Sequence, residues 1–325
     1  MNQLFYIGLA IITNFIWGLA FFAPYLLDSI SPAAIAFGRY LCYGLMALVL
    51  GIFQMKSLRL LTRQDWGIAF WFALCGNVGY YLLLTAAIHY SGVSVTALIV
   101  GTVPITMMVL GNLIERQISF KQLLLPLMFI LLGLLLINGY KFSLYSAEQD
   151  AKLLWGIVFS VGALIVWTWY GVHNIYYLKA HHHIRSQQWT IAIGLSALVQ
   201  SVFASTIYFG VLKKPFFIEG TLEFSFNELI VLFVITCLVL GIVVSWFATL
   251  MWNVVSRHLP AMLVGQAIVF EIIASIAYEH LWDWKFPSII ELGSILLIIS
   301  GVLLGVYVVN KEQIKQRWAN QYQQS

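Results

Sequence analysis

Two charges stand well inside long apolar runs: Arg39 in "AIAFGRYLCYGL" and Glu271 in "GQAIVFEIIASI". Ionised groups at bilayer depth are costly, face the bundle interior or water, and tend to pair. A Glu in that setting is fitted to hold a substrate ammonium or to carry a proton, and an Arg to hold a carboxylate. A purely structural ion pair is the plainer alternative. Arg39 lies seven residues after Pro32, about 10 Å along a helix from the outer face. Glu271 lies ten residues past Ala261, about 15 Å from the inner face. In a hydrocarbon core about 30 Å thick their depths differ by only about 5 Å.

Aromatic and polar side chains surround these charges in the sequence. Trp17, Trp167, Tyr80, Tyr81, Tyr170 and Trp246 fall inside apolar runs. Packing accounts for many such rings, but they also suit a cavity wall that holds a substrate by stacking and cation–π contact. Asn77, Thr102 and Gln266 also interrupt the runs, where helix–helix hydrogen bonding is the ordinary role. Gln266 and Glu271 are about 140° apart around a helix, so they need not share a face. His89 is a weaker candidate for carrying a proton. We expect these residues, with Arg39 and Glu271, to line a substrate pathway. The three consecutive histidines, His181 to His183, read as a solvated loop, since neighbours in sequence do not face one another on a helix. Cys42, Cys75 and Cys237 are spaced neither as a metal site nor as a disulfide framework. No metal and no cofactor is expected.

Helices in a bilayer must position these groups. The chain has 325 residues, 61% hydrophobic and 9% charged, against about 25% charged in a soluble domain. So few charges cannot cover a water-soluble surface of this size. Apolar stretches of about 20 residues, enough to span, fall near 4–24, 32–54, 67–89, 92–114, 121–140, 153–176, 187–211, 228–252, 261–280 and 288–310. None shows the short alternating pattern of a membrane barrel. The expected fold is an all-α integral membrane protein of ten transmembrane helices. The first run has no Lys or Arg before it and no convincing cleavage site, so it reads as a retained span. With the N-terminus inside, eleven of the 17 Lys and Arg residues fall in inner segments and five in outer ones, Arg39 being the last. That bias puts both termini in the cytoplasm.

The fourth and ninth spans end alike. "ALIVGTVPITMMVLGNLIERQ" aligns with "AMLVGQAIVFEIIASIAYEHL" at a constant offset of 164, so that Gly101 meets Gly265 and Glu115 meets Glu279. Trp17 and Trp167 fall at loosely matched places. Ten spans split into five plus five, and an odd number per half makes the second half enter from the opposite face. This is an inverted-topology repeat, a common build of secondary transporters with a midplane site. The halves are 1–141 and 152–310, joined by an external linker at 142–151 and followed by a cytoplasmic tail at 311–325. Glu115, Arg116 and Glu279 are gate or interface candidates. Gly101, Pro104 and Gly265 are hinge candidates.

At these residues the chain resembles EamA-type members of the drug/metabolite transporter superfamily over essentially its whole length. The features that carry the resemblance are "WGLAFFAPYLL", "SPAAIAFGRYL", "AIHYSGVSVTALIVGTVPITMMVLGNLIERQIS" and "LLGLLLING", above all Pro104 with Glu115–Arg116. The second half has Ile268 in place of the mid-helix Pro and His280 in place of the Arg. The resemblance implies ten helices in two inverted five-helix halves and transport of small organic metabolites, with bacterial amino-acid exporters as the best-known relatives.

The expected function is therefore a secondary transporter of the bacterial inner membrane, exporting amino acids or related compounds by alternating access. Multidrug efflux and metabolite uptake are the alternatives within transport. An intramembrane enzyme is the alternative of another class, and the chain has no "HExxH", no "GxSxG" and no second carboxylate at depth. It also has no Walker motif for ATP hydrolysis. The expected partners are a small-molecule substrate and the lipid bilayer, with proton coupling permitted by Glu271, and no nucleic acid. Ten spans suffice for a monomeric pathway, and a homodimer is equally open.

Overall fold

In hydrocarbon every backbone N–H and C=O must find its partner within the protein, which favours helices throughout. A computed structural model describes residues 3–115, 118–143, 150–218 and 225–322, and among them the only β pairing is an isolated bridge, Ile30 to Phe217. The helices are α1 (Gln3–Leu26), α2 (Pro32–Phe53), the short α3 (Met55–Leu58), α4 (Arg63–Ala73), α5 (Gly79–Val100), α6 (Val103–Glu115) and α7 (Phe120–Ser143). Then follow α8 (Asp150–Ala180), α9 (Ser186–Ser205), α10 (Phe226–Leu238), α11 (Ala248–His258), α12 (Ala261–Ala267), α13 (Val269–Asp283) and α14 (Ile289–Tyr322). Among the described residues eight helical stretches are long and apolar enough to cross a bilayer, and two shorter apolar helices, Val103–Glu115 and Phe120–Leu136, accompany them.

Local chemistry sets the helix starts. Ser31 caps α2 ahead of Pro32, and Thr62 with Asp65 forms a capping box at α4. Ser225 with Glu228 does the same at α10. Three π-helical segments interrupt the spans, at Leu74–Val78, Thr206–Val211 and Val239–Phe247. Such wider turns often mark functional sites. Helix α14 continues past the last apolar run as far as Tyr322. From Lys311 to Tyr322 it meets no Gly or Pro to stop it.

The expected break near Tyr90 is not a break in helical hydrogen bonding. Helix α5 runs without interruption from Gly79 to Val100. The chain nevertheless reverses, as its contacts along α8 record. Tyr177 donates to Asp65, Tyr170 lies on Gly76 and Gly156 lies on Ser91. On the way back the Thr106 and Thr168 hydroxyls are 2.9 Å apart and Lys179 reaches Glu115. The chain thus climbs α8 from Asp65 to Ser91 and returns from Thr106 to Glu115.

Helix α1 has the same relation to the other part of the chain. Trp17 Nε1 donates to the Val244 carbonyl at 3.0 Å, and Tyr6 stacks on His258 at 4.0 Å. Phe15 then meets Phe270, and Phe22 meets Trp282. Helices α2 and α9 cross where Gly44 meets Leu198 and Gly194 meets Ala47. Helices α7 and α14 cross where Gly133 meets Ile298 and Gly301 meets Ile130. Small residues at such crossings let backbones approach closely.

A Cβ at Gly44 would sit 2.3 Å from Leu198 Cβ and 2.8 Å from Leu198 Cα. The clash is with backbone, so Gly44→Val should cost about 1–3 kcal/mol through forced separation of the helices. The melting temperature in detergent should fall accordingly. Gly67→Ala, where nothing lies within 4 Å, should leave it unchanged or raise it slightly. Equal melting temperatures for Gly44→Val and the parent would contradict this packing.

Candidate functional site

Seven separate helical elements converge on one cavity. It is lined by Trp17, Ala20 and Phe21 of α1, Arg39 and Tyr40 of α2, and Gly76 and Asn77 of the π turn. Tyr80, Tyr81 and Leu84 of α5, Trp167 and Tyr170 of α8, Thr249 of α11 and Glu271 of α13 complete it. Eight of the residues expected on the pathway therefore meet at one place: Arg39, Glu271, Trp17, Trp167, Tyr80, Tyr81, Tyr170 and Asn77.

Arg39 is buried and held from several sides. Its Nε donates to Ser245 Oγ at 2.8 Å. Its guanidinium carbon lies 4.9 Å from the Tyr81 ring centre and 5.1 Å from that of Tyr40. Tyr81 is fixed in turn by its hydroxyl, which donates to the Ala20 carbonyl at 3.1 Å. A planar guanidinium suits this packing, since it stacks on rings while its remaining donors stay directed along the fork. Ser245 belongs to the π segment Val239–Phe247, and Asn77 to the π turn Leu74–Val78. The Asn77 Nδ2 is buried with no hydrogen-bond acceptor among the described residues.

Glu271 sits just after the break at Ile268 that separates α12 from α13, and its N–H bonds to the Ile268 carbonyl at 3.0 Å. Lys179 pairs with Glu115 and His280 with Glu291, and among the described residues no ion pair joins Glu271 to Arg39. A second cavity lies against the first, and the two share Phe21, Tyr80, Trp167 and Glu271. It reaches the two helix breaks through Gly101, Pro104 and Ile268. Trp17 and Trp167 meet edge to face at 6.1 Å and both touch Trp252.

Other expected residues lie elsewhere. Gln266 is off both cavities, buried against Met108 and Gly305. The turn of helix between it and Glu271 is the reason. Thr102 is also off both, its hydroxyl donating to the Ile99 carbonyl at 2.7 Å. Trp246 lies in the π segment, where the wider turn shifts the phase of every side chain, and it lines neither cavity. Gly265 packs tightly on Met107, three residues before the break at Ile268. Arg116 lies outside the described residues, as do the side chains of His89 and Glu279.

Glu115, the gate or interface candidate that ends α6, has a side chain only 10% exposed. Its Oε1 takes Lys179 of α8 at 3.3 Å and the backbone N–H of Ala261 at 3.2 Å. It thereby ties α6 to α8 and to the first residue of α12. A carboxylate at a helix N-terminus is favoured by the helix dipole as well as by the hydrogen bond. Gln3 bonds to Asn310, and Arg185 to Ser57, so these groups lie with Glu115 at one end of the bundle through Tyr6–His258 and Asp65–Tyr177.

The residue reading missed Tyr40 and Phe21 as wall residues and Lys179 as the partner of Glu115. Tyr40 adjoins Arg39 in sequence, which is a usable signal. Lys179 carried none, because nothing local links it to a residue 64 positions away.

An apolar helical bundle that buries a polar, aromatic-walled cavity at a meeting point of interrupted helices has the architecture of a membrane transporter. Comparison with known proteins bears on the same point. Residues 4–139 match the EamA-like transporter family. The chain is 30% identical over 304 residues to the inner membrane protein YtfF of Escherichia coli (strain K12), covering 91% of this chain and 93% of that one. It is 28% identical over 168 residues to the uncharacterized inner membrane transporter YhbE of the same organism, covering 50% and 52%. A crystal structure with 13% identity superposes with a TM-score of 0.72 over 95% of this chain and 98% of that one. The chain belongs to the EamA-like transporter family of the drug/metabolite transporter superfamily. These relatives are inner membrane proteins.

Proposed function

We propose that this protein is a secondary carrier that exports amino acids or closely related zwitterions across the inner membrane by alternating access. The observation that carries the reading is the single cavity holding Arg39 and Glu271 without an ion pair between them. Arg39 takes the carboxylate and Glu271 the ammonium, while Trp17, Trp167 and Tyr80 flank the substrate. The two charges belong to different halves of the chain. A zwitterion between them would therefore draw the halves together, which is the differential contact that a conformational change requires. Glu271 also permits proton coupling.

The halves are residues 1–141 and 152–310, each of five spans, related by inverted topology. The opposed tracks along α8 and α1 support this: α8 is climbed and descended by α4 to α6, and α1 by the π segment Val239–Phe247 to α13. The π segments at Leu74–Val78 and Val239–Phe247 fall at matched places, and so do the helix breaks beside Pro104 and Ile268. The excess of Lys and Arg at the end that holds Glu115 favours a cytoplasmic location for both termini.

Glu115 is the latch of that cytoplasmic end. Glu115→Gln keeps a weaker acceptor for Ala261 but loses the ion pair with Lys179. Amide exchange in the first turn of α12 should quicken, with the order of substrate preference unchanged. A changed preference with unaltered exchange would count against the latch.

The reading is tested by thermal shift of the purified protein against panels of ligands. A ligand that binds only the folded state raises the midpoint. Zwitterionic amino acids should raise it more than the corresponding amines or carboxylic acids. The aromatic walls also favour multidrug efflux as a second reading, and stabilisation by lipophilic cations alone would support that instead.

A further inference from the structure

The two cavities differ in chemistry. The first holds Arg39, Asn77, Thr249 and four tyrosines. The part of the second that is not shared is lined by Val100, Val103, Pro104, Ile268 and Ile272, with Gly101 and Ser275. They meet at Phe21, Tyr80, Trp167 and Glu271. The Ser275 hydroxyl is already spent on its own helix, donating to the Ile272 carbonyl at 2.8 Å. A ligand portion in the second chamber thus meets an almost wholly apolar wall.

We infer that this second chamber is a side-chain subsite, and that the substrate is a zwitterion bearing a bulky apolar substituent. The inference rests on the proposed carrier reading. The charged head of the substrate lies between Arg39 and Glu271, and its apolar group passes Trp167 into the space below the breaks at Gly101–Thr102 and Ile268. Burial of an apolar group there removes it from water, while a short polar side chain leaves the chamber unfilled. The subsite also touches both interrupted helices. Its occupant therefore bears on the segments that a rocking motion would move.

The test is counterflow in proteoliposomes with alanine, serine, leucine and phenylalanine as probes, using the parent and Ser275→Leu. The substitution projects a branched side chain into the chamber and removes no bond between helices. Bulky probes should lose about tenfold, the scale on which pockets discriminate by size, while small probes should stay within about twofold. Equal losses for all four probes, or none for any, would overturn the subsite. A parent that carries alanine and serine but neither bulky probe would overturn the subsite and leave the carrier reading intact. A parent that carries no amino acid would remove the carrier reading and the subsite with it. Should Ser275→Leu fail to fold, Ile272→Ala enlarges the same chamber. It should raise the preference for tryptophan over valine about tenfold, and an unmoved ratio would overturn the inference.

Discussion

Glu271→Gln should lower amino-acid counterflow by about 10- to 150-fold. The carboxylate lies on the wall common to both cavities and has no ion-pair partner among the described residues. A substrate ammonium would be its counter-charge. Hydrogen bonds to charged groups contribute about 1.5–3 kcal/mol, and each 1.4 kcal/mol is about tenfold in affinity. Gln keeps the shape and one acceptor oxygen, so the fold should persist and the loss should be one of function. Transport measured at several pH values separates two parts of the assignment. A rate within about twofold of the parent would remove Glu271 from the substrate site. An unchanged rate with unchanged pH dependence would also remove its proton role.

Arg39→Lys should be almost as damaging, although it keeps the charge. The guanidinium is fixed by Ser245 at 2.8 Å and flanked by the rings of Tyr40 and Tyr81. Lysine cannot reproduce the fork or the planar stacking, and it is a strongly hydrated point charge. Loss of a two-point grip on a carboxylate should lower affinity by at least about tenfold. Amines lacking the carboxylate should be affected far less, because Arg39 makes no attractive contact with them. Parallel binding measurements with an amino acid and its decarboxylated amine check this. Equal losses for both ligands would mean that Arg39 acts through the packing of α2 and not through the substrate.

Much of this site was legible because lipid makes polar residues conspicuous. Arg39 and Glu271 stand out as charges in apolar runs, and depth arithmetic alone brought them to similar levels. Trp17 and Trp167 were paired by internal similarity, and they meet in the structure. What stayed hidden depended on rotation about helix axes and on contacts distant in sequence. Trp246 sits in a π segment, where phases drawn from 3.6 residues per turn no longer hold. Ser245, one residue away, faces Arg39. Glu115 was recognised as a terminal charge, but its burial against Lys179 and the α12 N-terminus needs three helices in place. The apolar runs at 67–89 and 92–114 read as separate spans, yet helix α5 passes through the junction between them without interruption.

Counterflow in proteoliposomes tests the central claim most directly. Vesicles holding the purified protein and preloaded with unlabelled amino acid are diluted into a trace of the labelled compound. Alternating access through the Arg39–Glu271 cavity predicts transient accumulation of label above equilibrium, saturable in substrate and reduced about tenfold or more by Glu271→Gln. Flux that rises linearly with concentration, gains nothing from preloading and is indifferent to Glu271→Gln would contradict it.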